Sequence, residues 1–245
     1  KVGALLELTG VFAPNGRESL DGFRMYMEEI GWKAAGRTIE LIVEDTEGKP
    51  DVGLTKARKL VDRDQVHLLT GIVNTAVALS VQGYIKEKMV PLIISADAGF
   101  SLLTMPGKFL NPYVFRFSQT GVGPSAAASD WAYKDAKWRR VVLITSDYAG
   151  GLEVNGSFAR GFCHHGGKVI QELYPPLGTP DFAPFLAQVD RSADAVVVFT
   201  PGADGLRLGR QYEEYGLKLP LMDVYGQITF EPNLPQLGQA ALGLY

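Results

Sequence analysis

The chain has 245 residues, 46% of them hydrophobic, so it can bury a large core as one domain or as two of roughly 120 residues each. Its net charge is −3 and its Lys and Arg residues are scattered, which excludes the basic surface expected of a protein that binds nucleic acid or anionic lipid. No apolar run approaches the ~20 residues of a membrane-spanning helix.

Short apolar runs alternate with amphipathic stretches along the whole chain. Nine runs are predicted as strands: 2–8, 39–44, 67–71, 91–95, 113–117, 140–146, 168–173, 194–199 and 219–223. Apolar residues at helical spacing predict the first three helices: Leu20, Phe23, Met27 and Ile30; Leu54, Ala57, Leu60 and Val61; and Val77, Val81, Tyr84 and Ile85. Asp51 is predicted to cap the second. This alternation is typical of parallel sheets flanked by helices, so the fold class is α/β.

A stretch rich in Gly, Pro and Ser at 118–125 separates two such alternating series. We therefore predict two lobes, 1–118 and 119–245. Residues 237–245 resemble a helix end followed by the start of another strand, which predicts that a C-terminal segment of the second lobe is missing from this chain.

Three loops of the first lobe follow predicted strands, at 9–17, 71–76 and 95–100. Because parallel strands end at the same edge of a sheet, we expect these loops to open onto one edge, where α/β proteins bind ligands. Their candidate ligand-binding residues are Phe12, Asn15, Asn74, Thr75, Ala96, Asp97 and Ala98. The helix that begins near Thr75 would favour a carboxylate or phosphate at its N-terminus.

Some of these residues also have a purely structural interpretation. Phe12 either packs under its loop or faces a ligand. Asn74 and Asp97 are typical N-caps, and for Asn74 capping and ligand binding are compatible.

The second lobe offers a matching set of loops after its strands, at 146–151, 200–204 and 223–226. Tyr148 is placed to stack on a ligand, whereas Asp147 is predicted to cap the following helix. Gly202 and Tyr225 complete the candidate ligand-binding residues. Loops from both lobes would then contact one small ligand.

Residues that could carry catalysis or hold a metal are sparse. His67 is predicted in a strand, His164 and His165 at a helix end, and Cys163 as a buried helix residue. No glycine-rich phosphate loop and no nucleophile elbow is present. We predict no catalytic residue, no metal site, no cofactor and no enzymatic activity.

Several short motifs occur in a characteristic order: Leu-Thr-Gly at 8–10, Glu-Asp-Thr-Glu-Gly-Lys-Pro at 44–50, Lys-Ala-Arg-Lys-Leu at 56–60, Gly-Ile-Val-Asn-Thr-Ala at 71–76, Val-Pro-Leu-Ile-Ile at 90–94 and Asp-Tyr-Ala at 147–149. In this order they resemble the branched-chain amino acid type of ABC-transporter solute-binding proteins, which have the type I periplasmic binding fold. The resemblance runs over the whole chain.

The resemblance implies a two-lobed, monomeric protein, periplasmic or extracellular, that closes on a small solute and presents it to the membrane permease of an ABC importer. We expect any signal segment of such a protein to lie outside this chain. By position, Thr75 matches the hydroxyl residue that binds a ligand carboxylate. The segment from Ala96 to Ala98 matches the one whose backbone meets the ligand, and Tyr148 matches the aromatic wall of the second lobe.

Three departures from the family pattern bear on the ligand. A carboxylate-binding threonine falls at Gly99, the acid that receives an α-ammonium at Tyr225, and an aromatic wall residue at Gly202. A buried ammonium without a partner is costly, so an α-amino acid is disfavoured unless Asp97 replaces the missing acid. We expect a small organic acid, preferably aromatic, with its carboxylate on Thr75.

Three alternatives remain open on the sequence alone. The first is a protein that binds branched-chain or other amino acids. The second is a ligand-sensing regulator with the same fold. The third is an α/β enzyme that uses Asp97 or Asp147 as a base.

Overall fold

The computed structural model describes residues 1–96, 110–117 and 120–245, and the chain divides into two compact units, Lys1–Gln119 and Thr120–Tyr245. Each unit contains a parallel sheet flanked by helices, which confirms the predicted fold class. Among the described residues, no helix combines the length and the apolar character needed to cross a membrane.

The first unit is built on a five-stranded parallel sheet. Its elements are β1 (Val2–Leu6), α1 (Ala13–Glu29), β2 (Lys33–Ala34), β3 (Arg37–Thr38), β4 (Leu41–Asp45), α2 (Pro50–Arg58, continued as a π-helix Lys59–Arg63), β5 (Leu68–Gly71), α3 (Thr75–Lys88), β6 (Leu92–Ile94) and β7 (Val114–Arg116). The sheet order is β4-β1-β5-β6-β7, and β2 and β3 form a separate antiparallel hairpin. Leu5, Leu69 and Leu92 anchor a core shared with α2 and α3.

The second unit is built on a four-stranded parallel sheet. Its elements are α4 (Val122–Lys134), β8 (Arg140–Thr145), α5 (Ala149–His164), β9 (Lys168–Leu173), α6 (Ala183–Leu186), β10 (Ala195–Phe199), α7 (Ala203–Tyr215), β11 (Leu221–Asp223) and α8 (Leu234–Leu237), with 3-10 turns at Glu231–Asn233 and Gly238–Ala241. The sheet order is β11-β10-β8-β9. Separate apolar clusters cover its two faces, one with Val142 and Val196 and the other with Val141 and Val197.

The strand order of each sheet marks where a ligand is expected. In the first sheet the chain passes from β1 to β4 on one side and then to β5 on the other. In the second sheet β9 and β10 flank β8 in the same way. The loops at such a switch point diverge and leave a crevice, the usual ligand position in open α/β sheets. The switch points are therefore β1/β5 and β8/β10.

All nine predicted strands and the three predicted helices are confirmed, whereas the β2–β3 hairpin was not predicted. Leu244 makes a single parallel bridge to Leu221, where the chain was predicted to begin another strand.

Four predictions were wrong. Asp51 lies in the first turn of α2, whose N-cap is Lys49 without a side-chain bond, and Asp147 precedes the α5 N-cap, Tyr148. His67 lies outside β5 and is exposed, where its Nδ1 meets the N-terminal amino group at 2.8 Å. Cys163 is exposed because the core-facing stripe of α5 is filled by Phe158 and Phe162 instead.

Candidate functional site

A buried carboxylate organises the switch point of the first unit. Glu7 follows β1 directly and has no exposed surface. It accepts hydrogen bonds from the N–H groups of Val73, at 2.8 Å, and Asn74, at 3.1 Å. Burial raises the pKa of Glu7, while these hydrogen bonds oppose the rise. Sequence reasoning missed Glu7 because it was included in the predicted strand 2–8; an acid among apolar strand residues was the available signal.

Asn74 is the N-cap of α3, as predicted. Its Oδ1 accepts from the Ala76 N–H at 2.9 Å, and its Nδ2 donates to the Gly48 carbonyl at 2.8 Å. The buried Asn74 amide therefore holds both the helix start and the neighbouring loop. Contact between Asn74 and a ligand stays a prediction.

Thr75 is the first residue of α3 and is buried at the same strand end. Its hydroxyl makes no hydrogen bond to any residue that the structure describes. A hydroxyl at the start of a 14-residue helix can bind a carboxylate together with free backbone N–H groups. Its role as the carboxylate anchor stays a prediction.

Phe12 and Asn15 lie where α1 begins, and both are buried. The Phe12 ring packs beneath Gly48: a Cβ on that glycine would lie 3.3 Å from the ring. Of the two interpretations of Phe12, this contact fits the one in which the ring packs under its loop. Gly16 allows α1 to approach β1, because a Cβ there would lie 2.0 Å from the Glu7 carbonyl oxygen. Contact of Phe12 or Asn15 with a ligand stays a prediction.

The third loop of the first unit begins beside the second. The Ser95 and Thr70 hydroxyls are 2.9 Å apart, and the buried Ala96 donates its N–H to the Gly71 carbonyl at 3.4 Å. Asp97 and Ala98 lie outside the described residues. Their predicted contacts with a ligand stay predictions.

Three aromatic rings meet at the switch point of the second unit. Tyr148 is stacked on Phe199, with ring centroids 6.3 Å apart and planes at 20°. Tyr225 meets the same Phe199 edge-on, at 5.3 Å and 67°. Phe199 is buried, whereas both tyrosines are partly exposed. The structure thus brings together Tyr148 and Tyr225, two predicted ligand-binding residues. Both contact Phe199, which was not predicted as part of the site. Phe199 was missed because it was assigned to a buried strand.

Small residues shape the surroundings of these rings. A Cβ on Gly150 would lie 2.8 Å from the Tyr148 hydroxyl and ring edge, so the ring occupies the space left by this glycine. Gly202 is the N-cap of α7, with φ +54°, and donates its N–H to Gln227 Oε1 at 3.1 Å. Gly202 therefore contributes backbone at the strand end but no side chain.

Two buried carboxylates hold the loops of the second unit. Asp223 accepts from the Ile228 N–H at 2.5 Å and from the Tyr225 N–H at 3.4 Å, which fixes the turn that carries Tyr225. Asp204 accepts from the Gly178 N–H at 2.8 Å and pairs with Arg207. Burial raises the pKa of both carboxyl groups. Asp223 is bonded within its own turn, whereas Asp204 links the start of α7 to the separate loop that contains Gly178. Both carboxyl groups therefore have a structural role.

The histidine pair lies at a helix end and not at a strand end. His165 is the C-cap of α5, with its Nε2 2.5 Å from Asp130 Oδ1 on α4, and its ring stacks on Tyr133. Across the described ranges, no group of three or more His, Cys, Asp or Glu side chains is placed to hold a metal ion.

Comparison with known proteins identifies the family. A family model described as "Periplasmic binding protein" matches residues 1–245. Leu/Ile/Val-binding protein homolog 6 of Brucella melitensis is 31% identical over 249 residues, which cover 100% of this chain and 62% of that protein. The chain thus spans less than two thirds of the length of this relative.

Two solved structures have the same fold. An ABC transporter substrate-binding protein from Sphaerobacter thermophilus is 37% identical, with a TM-score of 0.86 over 99% of this chain and 67% of that one. A solute-binding protein of an ABC transporter from Rhodopseudomonas palustris, in complex with 3,4-dihydroxybenzoic acid, is 33% identical, with a TM-score of 0.91 over 99% and 66%. The chain belongs to the periplasmic binding protein family, as its motifs predicted.

Proposed function

We propose that the chain is the solute-binding component of an ABC importer, located outside the cytoplasm, and that it binds a small aromatic carboxylic acid without transforming it. The family supports the non-enzymatic receptor role. Relatives named as ABC transporter proteins support a membrane permease as partner. The Rhodopseudomonas relative, with its dihydroxybenzoic acid, supports the ligand class.

The observation that carries the ligand class is the aromatic group of the second unit. Tyr148 and Tyr225 are partly exposed at a strand-end switch point, and both of their rings contact the buried Phe199. Aromatic faces and edges attract a further flat ring more strongly than they attract an aliphatic group of equal area. This surface favours a ligand with an aromatic ring.

The carboxylate of such a ligand would bind at the start of α3. Thr75 offers its hydroxyl there, and the helix dipole favours a negative charge. Glu7 takes the N–H groups of Val73 and Asn74, so it competes for the donors of this loop. Burial raises the pKa of Glu7, and its hydrogen bonds to this loop oppose the rise. That one solute contacts loops of both units stays a prediction.

An amine on the ligand is disfavoured by the residue at 225. The family resemblance places an acidic residue there, but Tyr225 supplies a phenol whose hydroxyl donates to the Thr120 carbonyl at 2.7 Å. A buried α-ammonium would then lack its counter-charge. An amino acid remains the second candidate, because the Brucella relative is named as a Leu/Ile/Val-binding protein homolog.

A ligand panel tests the proposal. Purified protein is mixed with benzoate, 3,4-dihydroxybenzoate, cyclohexanecarboxylate, leucine or glutamate, and unfolding is followed by thermal shift and binding by calorimetry. A ligand at 100 times its Kd should add about 2.7 kcal/mol to the free energy of unfolding. We expect the aromatic acids to stabilise most. Stabilisation by leucine alone would establish the amino acid alternative instead.

Two further measurements separate the receptor from the remaining alternatives. The bound ligand should be recovered unchanged by mass spectrometry after long incubation, and any product would contradict the receptor role. Deletion of the gene should abolish uptake of the labelled ligand if the protein serves an importer. Normal uptake with a lost transcriptional response to the ligand would identify a sensor.

A further inference from the structure

We propose that Phe199 is a specificity-determining residue that acts by positioning: it fixes the rings of Tyr148 and Tyr225 so that they accept a flat aromatic ring in preference to an aliphatic one. This inference rests on the proposed function and deepens it. Phe199 is not itself proposed to contact the ligand, because its side chain is buried beneath the two tyrosines.

The ring contacts of Phe199 place the tyrosines at two different angles. Tyr148 is nearly parallel to it, at 20°, and Tyr225 is steeply inclined, at 67°. Both centroid distances, 6.3 and 5.3 Å, lie in the range of favourable aromatic pairs. One buried ring therefore contacts both partly exposed rings and constrains their orientation relative to each other.

The backbone around Phe199 holds both tyrosine loops. Its carbonyl accepts from the Ser146 N–H at 3.0 Å, two residues before Tyr148. The preceding carbonyl, of Val198, accepts from the Val224 N–H at 3.2 Å, directly before Tyr225. The end of β10 thus anchors both loops through its backbone, and the Phe199 side chain adds the second constraint, on the rings themselves.

This arrangement discriminates by shape and by the charge distribution of the ring. An aromatic ligand gains binding free energy from the face of one tyrosine ring and the edge of the other. This gain requires that the two rings keep their angles. A saturated ring of similar size gains binding free energy mainly from the apolar surface area that it buries, and this area depends little on those angles. Loss of Phe199 should therefore weaken aromatic acids more than saturated ones.

Phe199→Leu tests this inference in the intact protein. The readout is the ratio of two dissociation constants, that of cyclohexanecarboxylate over that of benzoate, measured by calorimetry. We expect Phe199→Leu to lower this ratio by about 2- to 12-fold, the size of one lost aromatic pair. Phe182→Leu is the matched control, because Phe182 is fully buried in the same unit but packs in the cluster on the opposite sheet face. It should lose stability without changing the ratio.

The possible outcomes are distinct. If the wild-type protein binds neither acid, the proposed function fails and the inference fails with it. If the wild type prefers benzoate and Phe199→Leu keeps the wild-type ratio, Phe199 has only a packing role. Should Phe199→Leu not fold, Phe199→Met provides a smaller perturbation, and an unchanged ratio in that variant would overturn the inference equally.

Discussion

The position of the Tyr148 ring can be changed by a single methyl group. Gly150 is the second residue of α5, and a Cβ at this position would lie 2.8 Å from the Tyr148 hydroxyl. The atoms that it meets belong to the outer part of the Tyr148 side chain and not to backbone, so Gly150→Ala should displace the ring and leave the backbone in place. The substitution therefore separates ring position from folding.

The size of the effect follows from the contact that is lost. The Tyr148 and Phe199 rings are 6.3 Å apart, and such a pair contributes about 0.5–1.5 kcal/mol beyond its buried area. If Tyr148 makes a similar contact with an aromatic ligand, Gly150→Ala should raise the benzoate Kd by about 2- to 12-fold. The free energy of unfolding should change little, because alanine favours a helix over glycine and offsets the lost ring pair.

Gly156→Ala is the matched control on the same helix. No atom lies within 4 Å of a Cβ there, and the residue is exposed in the middle of α5. It should gain about 0.5–1 kcal/mol of stability, visible as a rise in Tm of about 1–4 °C, with no change in affinity. Calorimetric titration of both variants with benzoate measures whether displacing the Tyr148 ring lowers the affinity. Equal benzoate affinity in the two variants would refute a role for the Tyr148 ring in binding.

Three further predictions concern the first unit. Thr75→Ala should weaken a carboxylate ligand by about 1–3 kcal/mol in calorimetry, while Ser80→Ala on the same helix should not; equal affinities would place the anchor elsewhere. Burial raises the pKa of Glu7, so the stability that this group contributes is present below its unfolded pKa and is lost as pH rises through its folded pKa. Urea unfolding between roughly pH 4 and pH 8 should show this loss in the wild type but not in Glu7→Gln, and a gain over that window would mean that the hydrogen bonds outweigh burial. Gly16→Ala should cost about 1–3 kcal/mol because its methyl group would meet the Glu7 carbonyl, whereas Gly22→Ala, which meets nothing in the same helix, should stabilise the protein.

The sequence was sufficient to predict the order of strands and helices because each carries its own apolar period. Strands such as 195–199 are buried on both faces, so they appear as uninterrupted apolar runs. The hairpin of Lys33–Ala34 and Arg37–Thr38 was missed because all four residues are exposed and carry no apolar pattern. Cys163 was misplaced because a neutral side chain fits either face of a helix.

The candidate site was predictable in position and less so in detail. Loops after strands must lie at the carboxyl edge of a parallel sheet, which located Thr75 and Tyr148. The residues that position them, Glu7 and Phe199, act through long-range contacts that no local pattern reveals. Both were included in predicted strands, and only the packing of distant segments shows that their side chains hold the loops.

The contact between Glu7 and Val73 also has a consequence for how the protein folds. It joins residues 66 positions apart, so the chain must close a long segment before this hydrogen bond can form. Since this bond lies at the end of the paired strands β1 and β5, we expect the loop that precedes α3 to reach its native conformation together with that pairing. Contacts of such high sequence separation slow folding, so a binding-competent first unit should arise late and together with its completed sheet.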